Sequence, residues 1–255
     1  MKKNREQELL ARLALVQRVS LAEAMELFDT SESTIRRLFT RLEQEGKAIR
    51  THGGIQNVSR SMADYSFEYG ARTNIEKKTA IARQACQYLV DGDVVFCDSG
   101  TTIQCMCAEL IYRIRRDKLN IRVYTNSLAN LELLSPYLQV NLVGGEYRDN
   151  RKDFCGFLSE QALAGVYFTK CFVGADGCSE DFVFTTTDFE TARMNQIAMK
   201  NSGQIFMLAD SSKFRNSSHV AYVPAERIHT IVTDSELPAE IRETIKTNRL
   251  ICVTI

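Results

Sequence analysis

The chain of 255 residues has no net charge, no long apolar run and no cysteine pair of the CxxC type. Thirty-two Lys and Arg balance thirty-two Asp and Glu, and neutrality spread evenly over a surface argues against a nucleic-acid partner, which needs local positive potential. No segment approaches the ~18 apolar residues of a membrane span, so no membrane partner is expected. The opening Met1-Lys2-Lys3-Asn4-Arg5 is basic but leads into neither an apolar stretch nor a small-residue cleavage site. That excludes a signal peptide and points to the cytoplasm. Long polar tracts are also missing, and 44% hydrophobic with 25% charged residues is the balance of an ordered globular protein. The eight cysteines are scattered, and Cys105 and Cys107 lack the spacing of zinc ligands. Buried reduced thiols are expected, with no metal and no cofactor.

What is present changes the meaning of the neutrality. At about 150 residues per domain the length allows one or two domains, and the charge divides unevenly along it. Residues 1–60 hold eleven Lys/Arg against eight Asp/Glu, whereas residues 61–255 hold twenty-one against twenty-four. From Thr34 to Arg60, Arg36, Arg37, Arg41, Lys47, Arg50 and Arg60 face only Glu43 and Glu45.

Leu9, Leu10, Leu13 and Val16 share one helical face. Ser20 and Glu23 have capping-box spacing ahead of Leu21, Ala24, Met25 and Phe28, so a second helix begins at Ser20. Asp29-Thr30-Ser31 interrupts it, and Ser31 is a suitable N-cap for a third helix reaching about Glu45, with Ile35, Leu38 and Leu42 inward. Ser33, Thr34, Arg36, Arg37, Thr40 and Arg41 then lie largely outside the core. Two short helices joined by a three-residue turn, the second bearing hydroxyls and arginines, have the form of a helix-turn-helix. Arginine can grip guanine O6 and N7 in the major groove, while Ser and Thr reach phosphates or base edges; a solvated basic face is the alternative. After Gly46, suited to end a helix, extended stretches around Gly53-Gly54 would form a β-wing that lays Arg50 and His52 along a phosphate backbone.

Thr34-Ile35-Arg36-Arg37, followed by Gly46 and by Arg50-Thr51-His52-Gly53-Gly54, resembles the winged helix of DeoR-type bacterial transcriptional repressors. The resemblance implies contact with double-stranded operator DNA through Ser33, Thr34, Arg36, Arg37, Arg41, Arg50 and His52. One departure is Leu38-Phe39, where that family usually has Asp-Leu after the two arginines.

From Gln56 to Thr73 no clean period is visible, and residues 58–73 read as a linker packed against something rather than a free tether. Tyr65, Phe67 and Tyr69 there suit either a dimer contact or core packing. A helix is expected from Ile75 to Leu89, then strands at Val94–Cys97, Ile121–Tyr124, Val140–Val143, Cys171–Val173, Ile205–Leu208, Thr230–Val232 and Leu250–Val253. Helices at Thr102–Arg115, Ser127–Leu134, Phe189–Asn201 and Pro238–Thr247 separate most of them. The alternation predicts an N-terminal winged helix-turn-helix (1–57) followed by an α/β domain (74–255) with a mainly parallel sheet and a ligand at its carboxyl edge. Glycine and polar residues gather at those strand ends: Asp98-Ser99-Gly100-Thr101-Thr102, Thr125-Asn126-Ser127, Gly144-Gly145, Gly174-Ala175-Asp176-Gly177 and Asp210-Ser211-Ser212-Lys213. Such turns at helix starts suit an anion such as phosphate.

In order and spacing these segments are similar to the sensor domain of DeoR-type regulators, and Arg72 and Lys78 match positions at its entry. The resemblance implies a fold like that of sugar-phosphate isomerases and a phosphorylated sugar as effector. Ser99, Gly100, Thr101 and Thr102 would cradle the phosphate, and Lys213 would pair with its charge. Asp98, Asn126 and Asp176 would bond sugar hydroxyls, unless the two aspartates serve as caps, and Thr125, Ser127, Gly144 and Gly145 complete the candidate set. Two departures bear on the ligand: Phe182-Val183-Phe184 stands where relatives have a glycine shortly before the Thr185-Thr186 pair, and Asn195 replaces a helical lysine. The implied function is a regulator, a repressor of a carbohydrate-metabolism operon, working as a dimer or tetramer on paired half-sites. The alternative is an isomerase-like enzyme with Asp98 or Asp176 as base.

Overall fold

The computed structural model describes residues 2–16, 18–44, 47–51, 53–57, 66–245 and 249–255. The chain forms two compact units, Met1–Thr73 and Asn74–Ile255. In the first, α1 (Lys2–Val16) leads through β1 (Arg18–Ser20) into α2 (Leu21–Phe28), α3 (Glu32–Gln44), β2 (Ala48–Thr51) and β3 (Gly54–Asn57). The capping box at α2 is formed on both sides: Glu23 N–H donates to Ser20 Oγ at 3.1 Å, and Ser20 N–H to Glu23 Oε2 at 2.6 Å. Asp29, left-handed at φ 42, turns the chain toward α3. Leu9, Leu13, Ala24, Ile35, Leu42 and Ile55 form the core. Phe39 joins it at 3% exposure, widening the expected inward stripe of α3 by one position.

The expected wing is the antiparallel pair β2 and β3, and β1 adds a third strand on the far side of β3. Three residues are too few to show a period, so β1 is identified only by its partner. Gly54 is required there, since a Cβ would lie 2.4 Å from the Val19 carbonyl. Ser31 does not bond the α3 backbone with its side chain; its hydroxyl meets those of Ser33 and Thr34 at 3.2 and 3.1 Å. Glu45, Gly46, His52 and Tyr65 lie outside the described residues. Within the stretch read as a linker, Ser66 caps a six-residue helix, α4 (Phe67–Arg72).

The second unit continues with α5 (Ile75–Cys86), β4 (Val94–Cys97), α6 (Thr101–Asp117), β5 (Arg122–Thr125), α7 (Leu128–Leu134) and β6 (Val140–Leu142). A hairpin of β7 (Glu146–Arg148) and β8 (Asp153–Cys155) precedes α8 (Phe157–Ala164), β9 (Phe168–Gly174), β10 (Gly177–Cys178), β11 (Val183–Thr186) and α9 (Phe189–Lys200). Then follow β12 (Ser202–Leu208), β13 (Val220–Pro224), β14 (Thr230–Asp234), α10 (Ala239–Thr244) and β15 (Leu250–Val253). All seven expected strands form one parallel sheet in the order β15-β14-β12-β9-β4-β5-β6. Alternation across the pleat divides its side chains between two cores. Val95, Phe172 and Phe206 pack toward α5 and α6, while Phe96, Val173 and Met207 pack on the other face with residues of α8 and α9.

A second, antiparallel sheet (β10-β11-β13) adds to the strands expected from the sequence. Its first hairpin turns through Phe182, left-handed at φ 58. That conformation costs a Cβ-bearing residue about 1 kcal/mol, offset here by packing of Phe182 on the core. From β4 the chain builds outward through β5 and β6, then returns to place β9 on the other side of β4, which opens a crevice at the carboxyl ends of β4 and β9.

Candidate functional site

In the first unit, α3 presents Ser33, Arg36 and Arg37 to solvent and Thr34 half-exposed. The two arginines are held loosely: Arg36 Nε pairs with Glu32 Oε1 one turn earlier at 2.6 Å, and Arg37 Nε donates to the Ser33 carbonyl at 3.3 Å. Exposed pairs of this kind are worth little and exchange readily for a phosphate or base edge. Arg41 and Arg50 are more committed to the unit. Arg41 pairs with Glu6 of α1 at 3.1 Å, and Arg50 donates to Thr40 at 3.0 Å with Glu43 3.9 Å away.

In the second unit, the crevice of the sheet gathers most of the ligand-site candidates. Asp98, buried, accepts from its neighbour Ser99 N–H at 2.6 Å and, across the crevice, from Gly174 N–H at 3.1 Å. Burial pushes its carboxyl up, while the two amides and the charge of Arg151 act against the rise. Ser99 Oγ donates to Asp153 at 2.9 Å. Gly100 then starts α6, whose first turn has no side-chain cap. Seventeen residues of aligned peptide thus end in undercompensated N–H groups. Beside that end Lys78 Nζ donates to Thr101 Oγ1 at 3.0 Å. Burial pushes the Lys78 ammonium down to about 8; the charge of Lys213 adds to this and that of Asp210 opposes it. Lys78, Lys213, Thr101 and the α6 N-terminus together make a cationic cradle.

The rest of the candidate set divides by what each residue already does. Asn126, 3% exposed, donates through Nδ2 to the Phe154 carbonyl at 3.1 Å and leaves a buried Oδ1 without a partner among the described residues. Asp176 accepts from Thr186 Oγ1 at 2.9 Å and Thr187 N–H at 3.1 Å. Thr125 and Ser127 are occupied by the fold: Thr125 Oγ1 donates to the Cys97 carbonyl at 2.7 Å, and Ser127 Oγ caps α7 through Asn130 N–H. Gly144 and Gly145 follow the edge strand β6, where a Cβ on Gly145 would lie 2.0 Å from Ser159 Oγ. Packing against α8 explains the glycine at 145.

Sequence reasoning missed a charge network built on the buried Asp153 and Arg151. Arg148, at the end of β7, donates to both Asp153 oxygens at 2.9 Å and reaches Asp188 at 2.9 Å and Glu190 at 3.3 Å. Arg151 stands 3.5 Å from Asp153, 3.5 Å from Asp188 and 3.8 Å from Asp176. Although burial alone would push the Asp188 carboxyl up, the Thr191 N–H and both arginines bring it below its ordinary range. The only signal in the sequence is the charge alternation from Arg148 to Asp153, which a surface turn shows equally well. Asn195 is buried on α9 with its Oδ1 unpartnered among the described residues.

Residues 5–61 match the DeoR-like helix-turn-helix domain family, and residues 73–235 the DeoR C terminal sensor domain family. The chain is 32% identical over 252 residues to a lactose phosphotransferase system repressor of Lactococcus lactis subsp. lactis, covering 95% of each chain. It is 30% identical to the HTH-type transcriptional regulator IolR of Bacillus subtilis, covering 87% of each. A ribose 5-phosphate isomerase A from Methanocaldococcus jannaschii is similar in structure at 20% identity and TM-score 0.43, over 56% of this chain and 55% of the isomerase. With both units matched and a curated relative aligned over nearly the full length, the chain belongs to the DeoR family of helix-turn-helix transcriptional regulators.

Proposed function

We propose that this regulator represses a carbohydrate-metabolism operon and that a phosphorylated sugar bound in the crevice releases it from its operator. The observation that carries the effector half is the uncapped N-terminus of α6 with Lys78 on Thr101 and Lys213 nearby. A phosphate dianion there would meet peptide N–H groups, a hydroxyl and two ammonium groups at once. The operator half is supported by the solvent-facing Ser33, Arg36 and Arg37 of α3 beside the β2–β3 wing. In this reading Ser99, Gly100, Thr101, Thr102 and Lys213 hold the phosphate, with Lys78 added to the set. Asp98, Asn126 and Asp176 face the remainder of the ligand, while Thr125, Ser127, Gly144 and Gly145 shape the loops around it.

The same geometry favours binding over catalysis. A general base needs a carboxylate free to take a proton, but both Asp98 oxygens accept backbone N–H groups and Asp176 secures the Thr186-Thr187 turn. Release follows if the ligand binds the DNA-incompetent arrangement better than the competent one. The protein acts as a homo-oligomer on paired half-sites in this scheme. An electrophoretic shift with DNA from the promoter nearest the gene tests both halves: a sugar monophosphate should dissociate the complex, and inorganic phosphate should do so only at much higher concentration. A complex indifferent to every phosphorylated sugar would overturn the effector half, and an absent complex the operator half.

A further inference from the structure

Helix α8 is apolar on both of its sides, and a helix of that kind is normally covered all round. Its inner side, with Ser159, Glu160 and Leu163, is buried in the sensor unit. Its outer side exposes Phe157, Leu158, Gln161, Ala162 and Ala164, none of them charged. Helix α9 runs beside it in the same direction. Cys155 Sγ donates to Glu190 at 3.3 Å near the two helix starts, Arg193 donates to Glu160 farther along, and Asn201 Nδ2 meets the Leu163 and Ala164 carbonyls at 3.3 and 3.0 Å at the far end. Phe157 and Phe189 therefore head two neighbouring helices. Phe157 and Leu158 are each 71% exposed and Phe189 is 74% exposed.

Hydrophobic side chains exposed singly mean little, but a contiguous group of them marks a contact surface. At ~150–250 Å² per aromatic side chain, these three residues leave roughly 300–500 Å² of apolar surface open. Each partner in a stable complex buries about 800 Å², of which about 60% is apolar, or roughly 480 Å². The patch therefore matches the apolar share of one side of a stable interface. Its rim bears on the kind of partner. Glu146, close to Gly156, and Glu190 are exposed, and so is Arg193. A nucleic acid requires positive charge alone, whereas a rim of both signs can meet its own copy, as a two-fold contact requires. One α3 helix reads one half-site, so a second copy is also the partner that operator binding calls for.

We infer that two copies of this chain associate about a two-fold axis through the face of α8 and α9 that carries Phe157, Leu158 and Phe189. This rests on the half-site reading above and assigns it a surface.

Sedimentation velocity of the full-length protein over a range of concentrations tests it, with Leu158→Lys and Phe189→Lys as the variants. Tyr112→Lys is the control, since Tyr112 is exposed on α6, on the opposite face of the parallel sheet. The wild type should be an oligomer. Each of the first two variants should weaken its association roughly thirtyfold or more, the effect of losing an interface hot spot, and Tyr112→Lys should sediment as the wild type does. Circular dichroism checks the fold, and Leu158→Ser or Phe189→Ser, which add no charge, replaces a variant that fails to fold. An assembly unchanged in the folded variants overturns the inference and leaves the half-site reading standing. Equal weakening by Tyr112→Lys also overturns it. A wild type that stays monomeric yet shifts operator DNA overturns the inference and the half-site reading together.

Discussion

Replacing Lys78 by Met should make the sensor unit more stable and weaken its hold on a phosphorylated ligand. Lys78 is 3% exposed, and burial pushes its ammonium from 10.5 down to about 8. At about 1.36 kcal/mol per pH unit, folding with this lysine charged costs roughly 3 kcal/mol. Against that stand the interactions of its ammonium, among them the bond from Nζ to Thr101 Oγ1, each worth about 1 kcal/mol. Methionine has nearly the same length and fills the same space, so the variant should gain at most about 2 kcal/mol, or roughly 4–8 °C for a unit of this size. The sign of the pH dependence follows from the lowered value. The cost is present in full below about pH 8 and shrinks as pH rises toward 10.5, because over that range the folded chain has given up the proton and the unfolded chain still holds it. Thermal unfolding of both proteins from about pH 7 to pH 10 should therefore show a gap that closes on the alkaline side. In the wild type, affinity for phosphate should fall above about pH 8 as Lys78 loses its charge, and binding between about pH 8 and 10 should take up protons. A variant no more stable than wild type near pH 7, or a gap that widens with pH, would refute the assignment of Lys78 as a cation destabilised by burial.

Three further outcomes are expected. Arg36→Ala and Arg37→Ala should each lose about 1–3 kcal/mol of operator affinity at fixed salt, and Arg41→Ala less, since Arg41 is engaged with Glu6 at 3.1 Å; equal losses at all three in an electrophoretic shift would contradict the solvent-facing assignment. Gly145→Ala should destabilise the sensor unit by about 1–3 kcal/mol because its Cβ would collide with Ser159 and the Cys155 carbonyl, whereas Gly144→Ala, with nothing within 4 Å, should be near neutral in denaturant unfolding. Lys170→Met should lower stability by about 3–5 kcal/mol, because it strands Asp93, now 2.6 Å away and 4% exposed. Adding Asp93→Asn should restore part of that loss, and no restoration in the double variant would show that the pair is not what holds those strands.

Much of the architecture is legible because it is local. The capping box at Ser20 and Glu23 and the 3.6-residue stripe of α3 each need only neighbours in sequence. The seven parallel strands are buried on both faces, so each reads as a short apolar run, and the expected set differs from the observed one mainly at the ends. Strands β1, β7 and β10 were invisible for the opposite reason: two or three residues show no period, and only a partner distant in sequence defines them. Among the site residues, the loop from Asp98 to Thr102 was found through glycine and hydroxyl chemistry at a strand end. Arg148, Arg151 and Asp153 were not, because a charged turn has the same sequence whether its arginines are solvated or buried.

By itself the sequence determined a basic helical unit ahead of an alternating α/β unit, and the turn chemistry at the carboxyl ends of the strands. Only tertiary structure decided which of those turns share one crevice. The reversal of strand order at β4 brings the Asp98 loop to Gly174 and Asp176, while the Gly144-Gly145 turn follows an edge strand. It also decided that Lys78 is buried against Thr101 and that two arginines are taken up by carboxylates. Charge can be counted along a chain, but desolvation and pairing depend on distances between residues far apart in it, and these exist only once the sheet has closed.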